Sequence, residues 1–411
     1  MDYSDVLDWL YDQLPMFQRS GPVRYRMDLS KTLALCDALG HPEHNLSVVH
    51  IAGTNGKGSV SHAVAAALRR RGMKVGLYTS PHLADPRERI RIDGKWIEKP
   101  EFVSFVVNHM PLWEQMRPSF FELMFGMALT AFQSHGVDVV VLETGMGGRL
   151  DSTNIFPAPI VTAITSIGLD HQQFLGADLR SIAREKAGIL KEGVPCVLGV
   201  LPPEARSEVL EQSMKLGVEV YDGMPAADPL DGPRWLVRNQ AVARRILSLI
   251  PGSDQNDEEV LLAGPAGWGL QGRWQFWDPD CLLDCAHNTE GLTSTGKAIS
   301  ALGRPIRLVY AAVADKDVNQ ALSCLPKTVA NHWCCADVPR AMPVEELSCL
   351  ALASGRNGEV HATVAEAVQM ARRQRKANEL VVVLGSVFTV GEALTFLGSE
   401  SSRAGASVDP K

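Results

Sequence analysis

The chain alternates short apolar runs with longer stretches that are alanine-rich or apolar on one face. The run at 48–51 (VVHI) predicts a strand, 59–71 a helix, 74–78 a strand and 120–134 a largely apolar helix. Residues 137–143 (VDVVVLE) are apolar at nearly every position, as a strand must be when helices cover both faces of its sheet. Strands at 160–164 and 194–200 follow, with a helix at 179–190 between them. Strands alternating with helices predict an α/β fold with a mostly parallel sheet.

The rhythm weakens between about 221 and 275. Asp222-Gly223-Met224-Pro225, Asp228-Pro229-Leu230-Asp231-Gly232-Pro233 and Pro251-Gly252-Ser253-Asp254-Gln255-Asn256-Asp257 read as turns and loops, and Gly264-Pro265-Ala266-Gly267-Trp268-Gly269 as a hinge. The domain boundary is therefore expected near 265–270. Residues 1–267 form the first domain and 268–398 a smaller α/β domain with strands at 281–284, 306–312, 330–335 and 380–384. The small, polar stretch 399–411 reads as a flexible tail.

Composition narrows the function. The 411 residues are 45% hydrophobic with a net charge of −7, which disfavours a general nucleic-acid binder and means that an anionic ligand must be held by a local site. Eight cysteines (36, 196, 281, 285, 324, 334, 335, 349) lack a CxxC pair or a zinc spacing and read as reduced thiols of a cytoplasmic protein. The acidic start lacks the pattern of a signal peptide, and no apolar run is long enough to span a membrane.

Gly53-Thr54-Asn55-Gly56-Lys57-Gly58-Ser59 follows a predicted strand and opens a predicted helix. Glycines let backbone N–H groups converge on an anion, and the helix N-terminus adds positive potential. Lys57 is placed to reach the β- and γ-phosphates of a nucleotide, and the Ser59 hydroxyl to sit near its metal. The usual phosphate loop has four residues between its glycines; here only Thr54 and Asn55 separate Gly53 from Gly56, and Gly58 intervenes before Ser59. This departs from ordinary switch and motor NTPases and resembles the variant loop of the Mur ligase superfamily, which activates a carboxylate with ATP and joins it to an amine.

Further motifs in order make that resemblance specific: Tyr78-Thr79-Ser80-Pro81-His82-Leu83, Glu88-Arg89-Ile90-Arg91-Ile92-Asp93-Gly94, Phe121-Glu122, Glu143-Thr144-Gly145-Met146-Gly147-Gly148-Arg149-Leu150-Asp151-Ser152, Thr165-Ser166-Ile167-Gly168-Leu169-Asp170-His171, Glu185-Lys186-Ala187-Gly188, Gly272-Arg273-Trp274-Gln275 and Asp284-Cys285-Ala286-His287-Asn288. Over about residues 5 to 395 the chain resembles the folylpolyglutamate synthase and dihydrofolate synthase family. The resemblance implies a P-loop-type ATPase domain, Mur ligase-like, with a smaller α/β C-terminal domain, acting as a monomer.

It also implies residue roles. Asn55, Gly56, Lys57, Gly58, Ser59, Asn239, Arg273 and Asp284 would contact ATP, with His287 in the same motif and Lys57, Lys186 and His287 catalytic. Ser80, Glu143 and His171 would bind Mg²⁺; because Mg²⁺ prefers oxygen, His171 leaves Mn²⁺ or a bond through water open. Lys186 would be carbamylated and hold a second Mg²⁺, where bare sequence reads it as a solvated lysine. Ser119, Phe120, Phe121, Glu122, Leu150, Asp151 and Ser152 would line the pteroate site, aromatic rings suiting a flat pterin; core packing is the other reading of the two Phe. Phe125 replaces the threonine usual in relatives, and Gln271 the proline. Cys285 reads as a buried small residue, and Asp315-Lys316-Asp317 as a charged turn without a role.

The implied reaction has a folate-type carboxylate attack the γ-phosphate of ATP, giving an acyl phosphate that the α-amine of L-glutamate then attacks. ATP would bridge the two domains, whose closure excludes water. Dihydropteroate or a reduced folate would supply the carboxylate. Two rival readings are a Mur-type ligase acting on a cell-wall precursor and an ATP-driven switch without ligase activity.

Overall fold

A computed structural model of the 411-residue chain describes residues 1–14, 28–225, 233–252, 256–314 and 316–406. The chain divides into two compact units, the first built mainly from residues up to Leu270 and the second mainly from Gln271 onward. The expected break at 267/268 thus falls three residues later. Parts of the expected 228–233 and 251–257 loops, Asp315 and residues 407–411 lie outside the described residues.

The first unit carries an eight-stranded sheet in the order β4-β3-β2-β5-β1-β6-β7-β8. Its strands are β1 (Val48–Ala52), β2 (Val75–Tyr78), β3 (Ile90–Ile92), β4 (Lys95–Trp96), β5 (Val139–Glu143), β6 (Val161–Ile164), β7 (Cys196–Leu198) and β8 (Val220–Asp222). All pairings are parallel except those made by β3 and β4, an antiparallel hairpin turning at Asp93-Gly94. The Asp-Gly pair is the sequence signal for such a turn, since both residues adopt positive φ. β1 lies between β5 and β6, with Ile51 beside Glu143 and Ala52 beside Ile164. Strand order reverses at β1, and the carboxyl end of a strand at such a reversal is where open α/β sheets bind ligands.

The fully buried β1 and β5 place one apolar core against the helix Phe120–His135 and another against the helix Lys57–Arg70. The Phe120–His135 helix begins at a capping box and ends at Gly136, whose φ of 59° suits the left-handed helix stop. The stretch expected to be irregular holds the helix Arg234–Leu249, whose apolar face (Val242, Ala243, Ile246, Leu247) packs into the second of these cores. The expected hinge at 264–269 is instead a short helix, Gly264–Gly267. It is followed by a buried Trp268 whose Nε1–H donates to Val260 O at 2.8 Å.

The second unit has a six-stranded sheet in the order β13-β12-β11-β14-β10-β9. Its strands are β9 (Gln275–Asp278), β10 (Cys281–Leu283), β11 (Ile306–Tyr310), β12 (Ala330–Trp333), β13 (Glu359–Val360) and β14 (Leu380–Leu384), and only β9 pairs antiparallel. The four strands read from sequence are present; the short or half-exposed β9 and β13 lack an apolar run. The last helix, Val387–Ala406, continues past residue 398, where the domain was expected to end. Among the described residues no helix is long and apolar enough to cross a membrane, and none of the eight cysteines is in a disulfide.

Candidate active site

The loop after β1 turns into the helix Lys57–Arg70 at Gly56, whose φ of 89° favours a residue without a side chain. Three segments hold the loop. From the turn after β6, Thr165 Oγ1 donates to Asn55 O at 2.7 Å, while Ser166 O and Oγ accept from Thr54 N and Asn55 N at 2.8 and 2.9 Å. Thr54 Oγ1 accepts from Gly168 N at 3.0 Å. From the Arg234–Leu249 helix, Asn239 packs so closely that a Cβ on Gly56 would lie 2.4 Å from its Oδ1. From β5, the Glu143 carboxylate faces Gly58, where a Cβ would sit 3.4 Å from Oε2.

Glu143 is 4% exposed, and its Oε2 accepts from Ser80 N at 3.1 Å. A carboxylate with the Ser80 and Ser59 hydroxyls on neighbouring segments is a hard-oxygen donor set, which fits a divalent cation such as Mg²⁺ or Mn²⁺ beside a triphosphate. His171, half-buried at φ 51°, precedes a short helix, and its backbone N–H donates to Asp170 Oδ1 at 2.9 Å.

Lys186 lies near the end of the helix Leu179–Ala187 and is 3% exposed, so the solvated reading fails. Its Nζ donates to Gly53 O at 2.9 Å, at the root of the phosphate loop. Burial first, and then the nearby Lys57 cation, bring its amine down from 10.5 to about 7, against the opposing pull of Asp170 and Asp151. The chain thus holds against the loop an amine that loses its proton near neutral pH, while Lys57 Nζ sits 3.4 Å from Thr54 O.

On the expected pteroate side, several residues have backbone-holding work. Ser119 Oγ accepts from Glu122 N at 3.2 Å, and Glu122 Oε2 accepts from Ser119 N at 2.6 Å. Asp151 is fully buried: Oδ2 accepts from Met146 N at 2.8 Å, and Oδ1 from Thr153 N and Oγ1 at 3.0 and 2.6 Å. Burial raises its pKa, against those hydrogen bonds. Ser152 is buried and Leu150 half-buried. Phe120 is buried, stacked on Tyr11 at 6.0 Å with the Arg89 guanidinium 5.2 Å from its ring centroid. Phe121 is half-buried, edge-on to Tyr78 at 5.7 Å. Of the aromatic pair, Phe121 is the ring with a face to offer.

In the second unit, Asp284 follows β10 and is buried. Oδ2 accepts from Trp274 N and Oδ1 from Ala286 N, each at 2.9 Å, so it ties the Gly272-Arg273-Trp274 turn to the 285–287 segment. Burial raises its pKa, and the Arg273 cation opposes that. His287 Nδ1 is 3.0 Å from Cys285 O, and Cys285 is buried as read.

Residues 272–387 match the family described as Mur ligase, glutamate ligase domain. The chain is 31% identical to the dihydrofolate synthase/folylpolyglutamate synthase of Bacillus subtilis over 95% of its own length and 98% of the relative's. The chain belongs to the dihydrofolate synthase/folylpolyglutamate synthase family. Members of this family are ATP-dependent ligases. A probable bifunctional folylpolyglutamate synthase/dihydropteroate synthase of Haloferax volcanii is also 31% identical over 96% of this chain, which spans half the length of that relative. Among solved structures, a bifunctional folylpolyglutamate synthase/dihydrofolate synthase with Mn, AMPPNP and L-glutamate bound superposes with a TM-score of 0.82 at 26% identity, covering 97% of this chain and 98% of the other.

Of the residues assigned by resemblance to this dihydrofolate synthase/folylpolyglutamate synthase family, the structure gathers Asn55, Gly56, Gly58, Asn239, Glu143, Ser80 and Lys186 at one loop. It gives Ser119, Glu122, Asp151 and Asp284 backbone-bracing parts. Sequence reading assigned no role to Thr165, Ser166 and Gly168, which hold the loop, or to Arg89, which lies over Phe120 and donates from Nε to His82 Nδ1 at 2.9 Å. A pair of small hydroxyl residues just after a buried strand was the available signal for Thr165 and Ser166; Gly168 acts through its backbone N–H.

Proposed function

We propose that the chain joins the α-amine of L-glutamate to the carboxylate of 7,8-dihydropteroate and, in a second activity at the same site, to that of reduced folates, using ATP and Mg²⁺. The observation that carries this reading is the convergence of Glu143, Lys186 and Asn239 on the short glycine loop. A loop that binds phosphates alone needs neither a buried acid nor a neutralised amine beside it.

In this mechanism the N–H groups of 55–59 and the Lys57 ammonium bind the triphosphate and offset charge as the γ-phosphoryl group moves. The substrate carboxylate oxygen bonds to the γ-phosphorus, the bond to the β-phosphate oxygen breaks, and ADP leaves. Glutamate's neutral amine then bonds to the acyl carbon, phosphate departs, and the amine proton goes to solvent. A divalent cation held by Glu143 with Ser80 and His171 supplies further positive charge to the phosphates when bound. Phe121 offers its ring to the pterin. By resemblance, Arg273 and His287 contact the nucleotide, and Asp284 positions Arg273 through the Trp274 N–H. Eight cysteines without a disulfide suit a cytoplasmic enzyme, and the resemblance suggests a monomer.

The test offers dihydropteroate and tetrahydrofolate separately, each with ATP, Mg²⁺ and glutamate, and reads product masses. A one-glutamate adduct with both supports the bifunctional reading, and with one only, a single activity. ADP without any amide product, or normal ADP production by Lys57→Ala, overturns the scheme.

A further inference from the structure

Two clusters among the described residues bring two imidazoles and a carboxylate together, and they differ in what lies behind the rings. In the second unit, His332 Nδ1 is 3.0 Å from His361 Nε2, with Glu359 Oε2 3.9 Å from both. Arg307 NH1, however, lies 3.2 Å from His332 Nε2. A guanidinium only donates, so His332 accepts at Nε2 and carries its proton on Nδ1, the nitrogen a cation would need. That cluster is a hydrogen-bonded relay.

The other cluster is in the turn His41-Pro42-Glu43-His44, between the helix Ser30–Ala38 and β1. His41 Nδ1 lies 3.0 Å and His44 Nε2 3.6 Å from Glu43 Oε1, and the three ligand atoms fall within 4.8 Å of one another. Zinc bonds of about 2.0–2.2 Å in a tetrahedron separate ligand atoms by roughly 3.3–3.5 Å, so small side-chain shifts suffice. The two rings are parallel within 4° at 4.6 Å, which turns both toward one carboxylate. Behind His41, Asp37 Oδ1 stands 3.4 Å from Nε2, the outer carboxylate that fixes tautomer and ring orientation in metal-bound histidines. Among the described residues neither Asp37 nor Glu43 pairs with Lys or Arg. Glu43 Oε2 is buried with no N–H or O–H donor, and the buried Cys36 thiol is the hydrogen-bonding neighbour of the same carboxylate.

We propose that His41 Nδ1, His44 Nε2 and Glu43 bind a divalent transition cation of the zinc class, with Asp37 orienting His41. The site shares no residue with the phosphate loop or with the Glu143 set. Protons on the ligating nitrogens leave to solvent as the cation enters, and no other bond changes. Solvent completes the coordination, since the His41 and His44 side chains are 45% and 64% exposed. A bound ion would pin the turn that leads into β1.

The test titrates the full chain with Zn²⁺ by calorimetry, in excess Mg²⁺ and ADP to occupy the catalytic site, and follows Co²⁺ binding by visible absorption. One zinc per chain and tetrahedral Co²⁺ bands are expected. His44→Gln and His41→Asn should each weaken binding at least about 100-fold, Asn being chosen because it tolerates the φ of 58° at this position. Asp37→Asn should weaken it about tenfold, and His361→Ala should leave it unchanged. Unaltered melting temperatures confirm that the variants fold. No zinc binding, or binding that persists in the His41→Asn/His44→Gln double variant, overturns the proposal.

Discussion

The buried amine of Lys186 makes a prediction that a solvated lysine would not. Its pKa falls from 10.5 to about 7, chiefly through burial. At pH 7.5 about three quarters of such amines are neutral, against about one in a thousand for an ordinary lysine. Only the neutral amine attacks CO₂, forming an N–C bond and releasing a proton, so Lys186 should carbamylate where surface lysines do not. With ¹³C-bicarbonate, one carbamate carbon signal is expected, strengthened by Mg²⁺ and lost in Lys186→Met. The same shift has a thermodynamic signature with a definite sign. The unfolded lysine stays protonated up to about 10.5 while the folded one loses its proton near 7, so this group's penalty on the native state is full below pH 7. It is relieved as pH rises between those values, by at most about 1.4 kcal/mol per pH unit. Urea melts of wild type and Lys186→Met at pH 7, 8 and 9, in CO₂-free buffer, isolate the term: wild type should gain stability relative to the variant as pH rises. A pH-independent difference, together with a missing carbamate signal, would refute the reasoning.

Gly56→Ala places a methyl 2.4 Å from Asn239 Oδ1 at φ 89°, costing about 1–2 kcal/mol for the backbone alone. ADP production should fall, and Asn239→Ala should relieve the steric part in the double variant; wild-type rates in Gly56→Ala would count against the packing described. Thr165→Val removes the 2.7 Å bond to Asn55 O and should raise KM for ATP more than it lowers the melting temperature. Ser119→Ala should lower stability by about 1 kcal/mol through lost capping; Ser119→Asp should restore it by denaturant melt, whatever it does to substrate binding. Phe125→Ala empties a fully buried site packed against Tyr78 at 5.4 Å and should cost about 3–5 kcal/mol in thermal unfolding.

The legible parts of the fold were those where burial dictates composition. β1, β5 and β14 are buried at every residue, so their apolar runs announce them. β4 and β13 are two-residue edge strands that are not buried, and nothing in Lys95-Trp96 or Glu359-Val360 distinguishes them from loop. The Arg234–Leu249 helix went unread because its proline-rich, acidic flanks masked the 3.6-residue period of Ala243, Ile246, Leu247 and Ile250. The phosphate loop was legible because its chemistry needs glycine, lysine and serine in order. Ser119 and Glu122 were not legible as a cap while they were being read as substrate contacts, although Ser-x-x-Glu before an apolar run carries that signal by itself. Phe125 stands where relatives usually carry threonine. It is a core residue that touches Tyr78, and Tyr78 in turn meets Phe121, so any influence on substrate passes through that pair.

The shortened loop between Gly53 and Gly56 has a structural counterpart. With only Thr54 and Asn55 between the glycines, few backbone groups remain to brace the turn internally, so its polar groups are satisfied from outside. Asn55 O accepts two hydroxyls, Asn55 N and Thr54 N donate to Ser166, and Gly53 O accepts from Lys186. Lys186 therefore braces the loop and is also the group whose modification is proposed. Carbamylation would replace a neutral donor to Gly53 with an anion carrying one N–H, which can keep that hydrogen bond while placing its carboxylate beside the phosphates. Replacing Lys186 with arginine would keep a donor, now a permanent cation, but could not form the carbamate. If the loop needs only bracing, Lys186→Arg should retain ADP production; if it needs the modified amine, it should lose it while still binding ATP. That contrast separates the brace from the chemistry at a single position.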